Sequence, residues 1–233
     1  YYVDMLNGKK PLIDNQIDIQ AMINEEIEEE PLFIQVPPFD LNNYDQQRKI
    51  GEGAFGVVYE VKNKKTEELF SAKISKLECY NSLKQHDTVV NFIREVMILN
   101  QLHHPAIMRF IGYCPLNFKG SMKPVVVTEL IRNGSLDKLI EQERKGLSPP
   151  TWNDTKKLIN IYGIAHALRY MHSKQILHRD LKPANILVDD HLYPKLCDFG
   201  LSKDYLTNDK DCQRLHQTEL LGTPTYIAPE IYQ

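Results

Sequence analysis

Two acidic residues and one amide, Asp180, Asn185 and Asp198, lie within one short stretch of the chain. Carboxylate and amide oxygens are ligands that Mg²⁺ accepts, and a carboxylate can also take the proton of an attacking hydroxyl. Transfer of a phosphoryl group needs both functions, because one residue orients the nucleophile while others hold the metal ions that neutralise the phosphates. The spacing therefore predicts a phosphoryl-transfer site, in which Asp180 orients the hydroxyl and Asn185 and Asp198 bind the metal.

A glycine-rich segment lies upstream of these residues, with glycines at Gly51, Gly53 and Gly56. A dinucleotide-binding loop of this pattern would open a helix, but a run of β-branched residues follows here. A Walker loop would continue with Gly-Lys-Ser/Thr, which is absent from this sequence. The segment is therefore predicted to be a strand–turn–strand whose backbone amides close over phosphates.

These motifs resemble those of the protein kinases. The run 178–185 matches the catalytic loop of that family, and the run 198–200 matches its metal-binding motif. Val58 follows the glycine-rich segment at the position that the kinase loop requires. The resemblance extends from about Tyr44 to the last residue of the chain.

The resemblance implies an α+β fold of two lobes within residues 44–233. The β-rich N-lobe would span about residues 44–128 and the hinge about residues 129–134. The remaining residues, 135–233, would form an incomplete helical C-lobe. Residues 1–43 differ from the rest by an acidic cluster followed by Pro31, Pro37 and Pro38. They are predicted to be a linker or extension, either solvated or carrying a short amphipathic helix.

The hydrophobic pattern agrees with this division into strands first and helices later. After three strands, a helix is predicted over residues 88–102, a buried strand over 124–130 and a second helix over 153–173. Thr151 and Asp154 have the spacing of a capping box at the start of the second helix. The apolar stripe predicted for that helix consists of Leu158, Ile161, Ala165, Leu168 and His172.

The resemblance also implies an ATP-binding site. Lys73 would contact the α- and β-phosphates and pair with Glu95, as the family's Lys–Glu ion pair does. Thr128 would be the gatekeeper, and main-chain groups of Glu129 and Ile131 would bond the adenine. The three residues expected to sandwich the adenine ring are Val58, Ala72 and Leu187.

Two further residues imply the acceptor class. Lys182 would neutralise charge on the transferring γ-phosphate, and Thr223 would bond to Asp180 and Lys182 as it does in serine/threonine kinases. The resemblance therefore implies Mg²⁺-dependent transfer of the γ-phosphoryl group of ATP to Ser/Thr hydroxyls of proteins in signalling, and it opposes transfer to tyrosine. Residues 111–114 and 201–203 resemble the tyrosine-kinase-like branch. The alternative is a pseudokinase scaffold, although the Lys and Asp residues that pseudokinases usually lose are present here.

The resemblance makes activity conditional on the activation segment. Arg179, beside the catalytic Asp, would pair with a phosphate there, added by an upstream kinase or by autophosphorylation. Two hypotheses stay open: Glu219, at the position where the phosphosite often lies, partly mimics the phosphate, or the neighbouring Thr218 is the phosphosite. The four residues that match the stack linking the lobes of active kinases are Leu99, Phe110, His178 and Phe199.

Composition limits the other possibilities. A net charge of −3 and a pI of about 6.3 argue against nucleic-acid binding, and no apolar run reaches the length of a membrane span. Four scattered cysteines favour a reducing, cytoplasmic location. Cys197 is expected to be a buried apolar residue rather than a modifiable thiol. The chain ends three residues after Glu230, which predicts a C-terminally truncated kinase domain with little activity of its own.

Overall fold

The computed structural model describes residues 39–53, 56–76, 95–121, 123–204 and 223–227. The acidic N-terminal segment, Thr218 and Glu219 lie outside the described residues. Within the described part, a five-stranded antiparallel sheet is followed by two helices, two short pairs of strands and two 3-10 turns. The predicted α+β fold, β-rich first and helical second, is confirmed.

The sheet has the spatial order β1-β2-β3-β5-β4. Its strands are β1 (Tyr44–Glu52), β2 (Gly56–Asn63), β3 (Leu69–Ser75), β4 (Phe110–Cys114) and β5 (Val125–Glu129). Side chains alternate between the two faces of a strand, so one face of β2, β3 and β5 is apolar. That face is buried in a core made of Phe39, Leu41, Val61, Phe70, Ala72, Val125 and Val127.

A helix, α1, occupies residues 95–101 in the described part of the chain. The remainder of the predicted helix over 88–102 lies outside the described residues. The loop that follows α1 is anchored to the second half of the fold. Met108 N–H donates to the Leu196 carbonyl over 2.8 Å, and Leu196 N–H donates to the Ala106 carbonyl over 2.8 Å. His104 adds a 2.7 Å hydrogen bond between its Nε2 and Nδ1 of His166.

The second half begins with α2 (Leu136–Arg144) and α3 (Asp154–Ser173). Two small antiparallel pairs follow, formed by β6 (Ile176–Leu177) with β9 (Lys203–Asp204), and by β7 (Ile186–Val188) with β8 (Pro194–Leu196). Short 3-10 turns lie at Pro183–Asn185 and Pro224–Tyr226. The catalytic motifs therefore fall on the loops that join these short strands, where backbone conformation is not dictated by a regular ladder.

The stripe predicted for α3 was wrong. Leu158 and Ile161 are 66% and 65% exposed, whereas the buried residues are Asn160, Ala167 and Met171. The buried stripe lies about a third of a turn away from the predicted one. This helix carries apolar residues on more than one side, so packing chooses the face. Gly163 lies on the chosen face, where an added Cβ would come within 2.8 Å of the Pro194 ring.

The predicted cap of α3 was also wrong. The N-cap is Asn153, whose side-chain oxygen accepts a 3.0 Å hydrogen bond from Lys156 N–H. Asparagine is among the best N-cap residues, because its short side chain reaches the free amides of the first turn. The predicted cap residue, Thr151, therefore lies two positions before the actual N-cap, Asn153.

Gly112 in β4 is required by the close approach of Phe39. A Cβ at this position would lie 2.4 Å from Phe39 Cδ2. We expect Gly112→Ala to displace Phe39 from the core and to lower the free energy of unfolding by about 1–3 kcal/mol, as overpacking does. Urea denaturation would measure the loss. Gly53→Ala is the matched control, because nothing lies within 4 Å of its added Cβ. Equal midpoints for the two variants would contradict the prediction.

Candidate active site

The glycine-rich segment forms the turn between β1 and β2, with residues 54 and 55 outside the described part. Gly53 N–H donates to the Gly56 carbonyl over 2.9 Å and closes the turn. At Gly56, an added Cβ would lie 2.7 Å from the Ile74 carbonyl oxygen of β3. Only glycine therefore lets β2 approach β3 so closely at this end. Gly51 lies opposite Val58 in the register of β1 and β2.

Lys73, in β3, forms an ion pair with Glu95 at the start of the described part of α1. Its Nζ lies 2.8 Å from Glu95 Oε1 and 3.0 Å from Oε2. Asp198 Oδ1 lies 3.6 Å from the same nitrogen. Burial alone would lower the pKa of Lys73, but the charges of Glu95 and Asp198 outweigh it and raise the pKa. The ammonium is therefore charged and available to an anionic ligand.

Asp180 lies at the centre of a hydrogen-bond network. Its Oδ2 accepts from Lys182 Nζ over 2.7 Å and from Asn185 Nδ2 over 2.8 Å. Its Oδ1 accepts from Thr223 N–H over 3.0 Å and from Thr223 Oγ1 over 2.9 Å. Burial would raise the pKa of Asp180, but these donors more than offset it and lower the pKa. The carboxylate is therefore ionised at neutral pH.

Lys182 joins the same network from the other side. Its Nζ contacts Thr223 Oγ1 at 2.6 Å as well as the carboxylate of Asp180. The chain thus brings together a carboxylate, an ammonium and a hydroxyl, although Thr223 is 43 residues beyond Asp180. Such a group can orient a small hydroxyl and carry positive charge next to it.

Asn185 and Asp198 supply the oxygen atoms that a hard cation takes. Asn185 Nδ2 donates to both the carbonyl and Oδ2 of Asp180, and no described residue donates to Asn185 Oδ1. Asp198 has a φ of 62° and a side chain that is partly open to solvent. A non-glycine residue in this left-handed region is typical of functional sites. An amide oxygen and a carboxylate fit Mg²⁺, which binds through one or two carboxylates plus phosphates.

Ala72 is not where the sequence analysis placed it. It is fully buried in the apolar core on the face of β3 opposite to Lys73. Side chains alternate along a strand, so Ser71 rather than Ala72 shares the face of Lys73. Ser71 Oγ lies 2.7 Å from Thr128 Oγ1, its partner across β5. The signal that could have identified Ser71 is its spacing of two residues from Lys73.

The other predicted adenine contacts lie on this same face or near it. Val58 is the cross-strand partner of Lys73, and both Val58 and Leu187 are half-buried, as is Ile131. Glu129 N–H is already bonded to the Arg109 carbonyl over 3.0 Å. The main-chain contact predicted at Glu129 is therefore limited to its carbonyl group.

Phe199 is packed inside the fold. It is 1% exposed, and its ring centroid lies 5.2 Å from that of His178. Leu99 and His178 are buried as well, and Phe110 is half-buried. Because Phe199 faces inwards, the neighbouring Asp198 is directed to Lys73.

Cys197 behaves as an inert thiol. Burial raises the pKa of Cys197 to about 12, so the thiol stays protonated at neutral pH. Its side chain is half-buried rather than fully buried as predicted. In the part of the chain that the structure describes, no group of three or more metal-binding side chains forms a closed metal site, and no helix is long and apolar enough to cross a bilayer.

Comparison with known proteins identifies the family. The family model described as "Protein kinase domain" matches residues 44–233. The chain is 37% identical over 191 residues to "Probable serine/threonine-protein kinase PBL7" of Arabidopsis thaliana, covering 81% of this chain and 47% of that protein. It is 35% identical over 197 residues to "Serine/threonine-protein kinase RUNKEL" of the same plant, covering 83% and 12%.

An animal relative shows a similar level of sequence identity. "Serine/threonine-protein kinase sgk-1" of Caenorhabditis elegans is 32% identical over 195 residues, covering 82% of this chain and 37% of that protein. The chain thus spans half or less of the length of these relatives. The family match and the arrangement of Lys73, Asp180 and Asp198 lead to one conclusion: the chain belongs to the protein kinase domain family.

Proposed function

We propose that the protein is an ATP-dependent serine/threonine protein kinase. The observation that carries the proposal is the network in which Lys182 and Thr223 both bond the carboxylate of Asp180. A carboxylate held in this way is ionised, fixed in direction and adjacent to a positive charge. These are the features that transfer of a phosphoryl group to a hydroxyl requires. The relatives above are named serine/threonine-protein kinases, which supports the same acceptor class.

We assign the following roles to the chain's own residues. Asp180 accepts a hydrogen bond from the acceptor hydroxyl and takes its proton late in the transfer. Lys182 neutralises negative charge that develops on the transferred group. Lys73, held by Glu95, binds and orients the phosphates of the nucleotide. Thr223 is a positioning residue for Asp180.

ATP supplies the phosphoryl group, and Mg²⁺ neutralises its charge when both are bound. Asn185 and Asp198 are the residues that would hold the metal. The glycine turn would cover the phosphates with backbone amides. Val58, Leu187 and Ser71 would line the base, with Thr128 beside it and the carbonyl of Glu129 and main chain of Ile131 at its edge.

We further propose a cytoplasmic kinase of the tyrosine-kinase-like branch that acts on protein substrates. Its kinase domain would span residues 44–233, preceded by an acidic linker or extension over residues 1–43. Arg179 supports conditional activity. It has a φ of 66°, and no described residue bonds its guanidinium, which leaves it available for a phosphate. The pseudokinase alternative is opposed by the ion pair of Lys73 with Glu95 and by the position of Asp198 near it.

A radiolabelled ATP assay tests the proposed function. The full-length gene product would be incubated with peptides that are identical except for a Ser, Thr or Tyr acceptor. We expect label on the Ser and Thr peptides, little on the Tyr peptide, and none from Asp198→Asn. Absence of label from the wild-type protein would favour the scaffold alternative. Label on the Tyr peptide equal to that on Ser would overturn the acceptor class.

A further inference from the structure

The side chain of Glu129 joins three separate elements at the end of β5. Its backbone N–H donates to the Arg109 carbonyl over 3.0 Å, and its Oε1 accepts from Arg109 N–H over 2.7 Å. The carboxylate and backbone of Glu129 therefore extend the pairing of β4 with β5 by one residue, beyond the pair formed by Phe110 and Thr128. The same Oε1 accepts a 2.9 Å hydrogen bond from Nζ of Lys195 in β8.

This ion pair is shielded from water. The side chains of Glu129 and Lys195 are 17% and 15% exposed, far less than those of the surface pair formed by Lys145 and Glu141. Exposed pairs contribute little, because solvent screens them and the side chains lose entropy. A shielded pair behaves differently, because removing one partner leaves the other charge poorly solvated. Loss of Lys195 would leave the Glu129 carboxylate with a single donor among the described residues.

Lys195 also lies next to Leu187, one of the residues expected to contact the nucleotide base. It lies directly across from Leu187 in the pairing of β7 with β8, so the two side chains share one face. It is also three residues before Asp198. The backbone of Lys195 is therefore paired with Leu187, which we expect to contact the base. Its side-chain ammonium bonds Glu129, the first residue of the predicted hinge.

We propose that Lys195 is a positioning residue that fixes Glu129 relative to Leu187 and thereby sets the width of the nucleotide-base site. The inference rests on the proposed function, because it takes the space between Glu129 and Leu187 to be the place where the base of ATP binds. Lys195 acts through Glu129 and touches no reacting atom. Its removal loosens the site and weakens nucleotide binding more than it slows chemistry.

To test this inference, KM and kcat would be measured separately in variants that remove or keep the positive charge of Lys195. In Lys195→Met, which keeps the aliphatic stem, we expect KM for ATP to rise about tenfold, the scale of losing one shielded charged hydrogen bond. The KM for the acceptor peptide should stay the same, and kcat should fall less than KM rises. Lys195→Arg should recover most of the affinity, because the positive donor is restored. Lys145→Met, at the exposed pair, is the matched control and should leave both constants unchanged.

Direct binding keeps the inference testable apart from catalysis. The Kd of a fluorescent ATP analogue would be measured for each protein alongside its melting temperature. If Lys195→Met does not melt cooperatively, Lys195→Gln takes its place, since it keeps an uncharged donor and should show an increase of about threefold. A purely structural role would lower the active fraction and kcat at unchanged KM and Kd, and that result would overturn the inference. A Kd of Lys195→Met equal to that of the wild type, in a protein whose wild type transfers phosphate, would do the same. Absence of nucleotide binding by the wild-type protein would instead reject the proposed function together with it.

Discussion

Replacing Asp180 by Asn is expected to lower kcat by about a thousandfold, within the range attributed to a positioned general base. The substitution keeps the shape of the side chain but removes its charge and one acceptor oxygen. The donors from Lys182 and Thr223 then face an amide that can satisfy only part of the network. The acceptor hydroxyl loses both its orientation and the group that takes its proton. The KM for ATP should change little, because Asp180 contacts the acceptor rather than the nucleotide.

Steady-state kinetics with the best peptide acceptor would measure this effect. Asp137→Asn is the matched control, because Asp137 is exposed in the first turn of α2 and far from the network in sequence. Melting temperatures of both variants would establish that the loss is not caused by unfolding. Retention of more than about a tenth of kcat by Asp180→Asn would contradict the role, since a general base contributes at least about a hundredfold.

Replacing Lys73 by Met is expected to be the most destabilising change within the nucleotide site. It leaves two carboxylates, Glu95 and Asp198, near one another without the ammonium that now lies between them. Breaking a buried pair costs about 3–5 kcal/mol, and the partial exposure of Lys73 reduces this to about 2 kcal/mol. Glu95→Gln should cost less, because Lys73 then keeps Asp198 as a partner. Both variants should also lose most of their activity.

Denaturant unfolding of the two single variants and their double would separate these contributions. The double variant should be less destabilised than the sum of the singles, because the second change removes the charge that the first leaves unpaired. Lys62→Met is the control. Lys62, in β2, pairs with Glu67 in the turn that follows, and this ion pair is exposed to solvent. A loss in Lys73→Met no greater than that in Lys62→Met would refute the argument.

The errors in the sequence analysis arose where packing chooses between two faces. At Ala72, the resemblance supplied an apolar residue near Lys73, but the pleat of β3 turns adjacent residues to opposite faces. In α3, apolar residues on several sides left the buried face open in the sequence, and the structure buries the face on which Gly163 leaves room for the Pro194 ring. Ser71 and Lys195 were missed for a related reason, because their roles depend on partners from distant strands.

The sequence by itself determined strands β1, β2, β3 and β5, helix α3, the glycine turn and the family, but it did not identify strand β4 (Phe110–Cys114). It did so because these features depend on local periodicity and on residues a few positions apart, such as Asp180 and Asn185. The tertiary structure decided which distant groups meet. Thr223 reaches Asp180 across 43 residues, and Lys195 reaches Glu129 across 66. The resemblance to the family implied the contact of Thr223 with Asp180, whereas nothing in the sequence indicated that of Lys195 with Glu129. Both contacts form only when strands and loops pack against one another, so their geometry was decided by the tertiary structure.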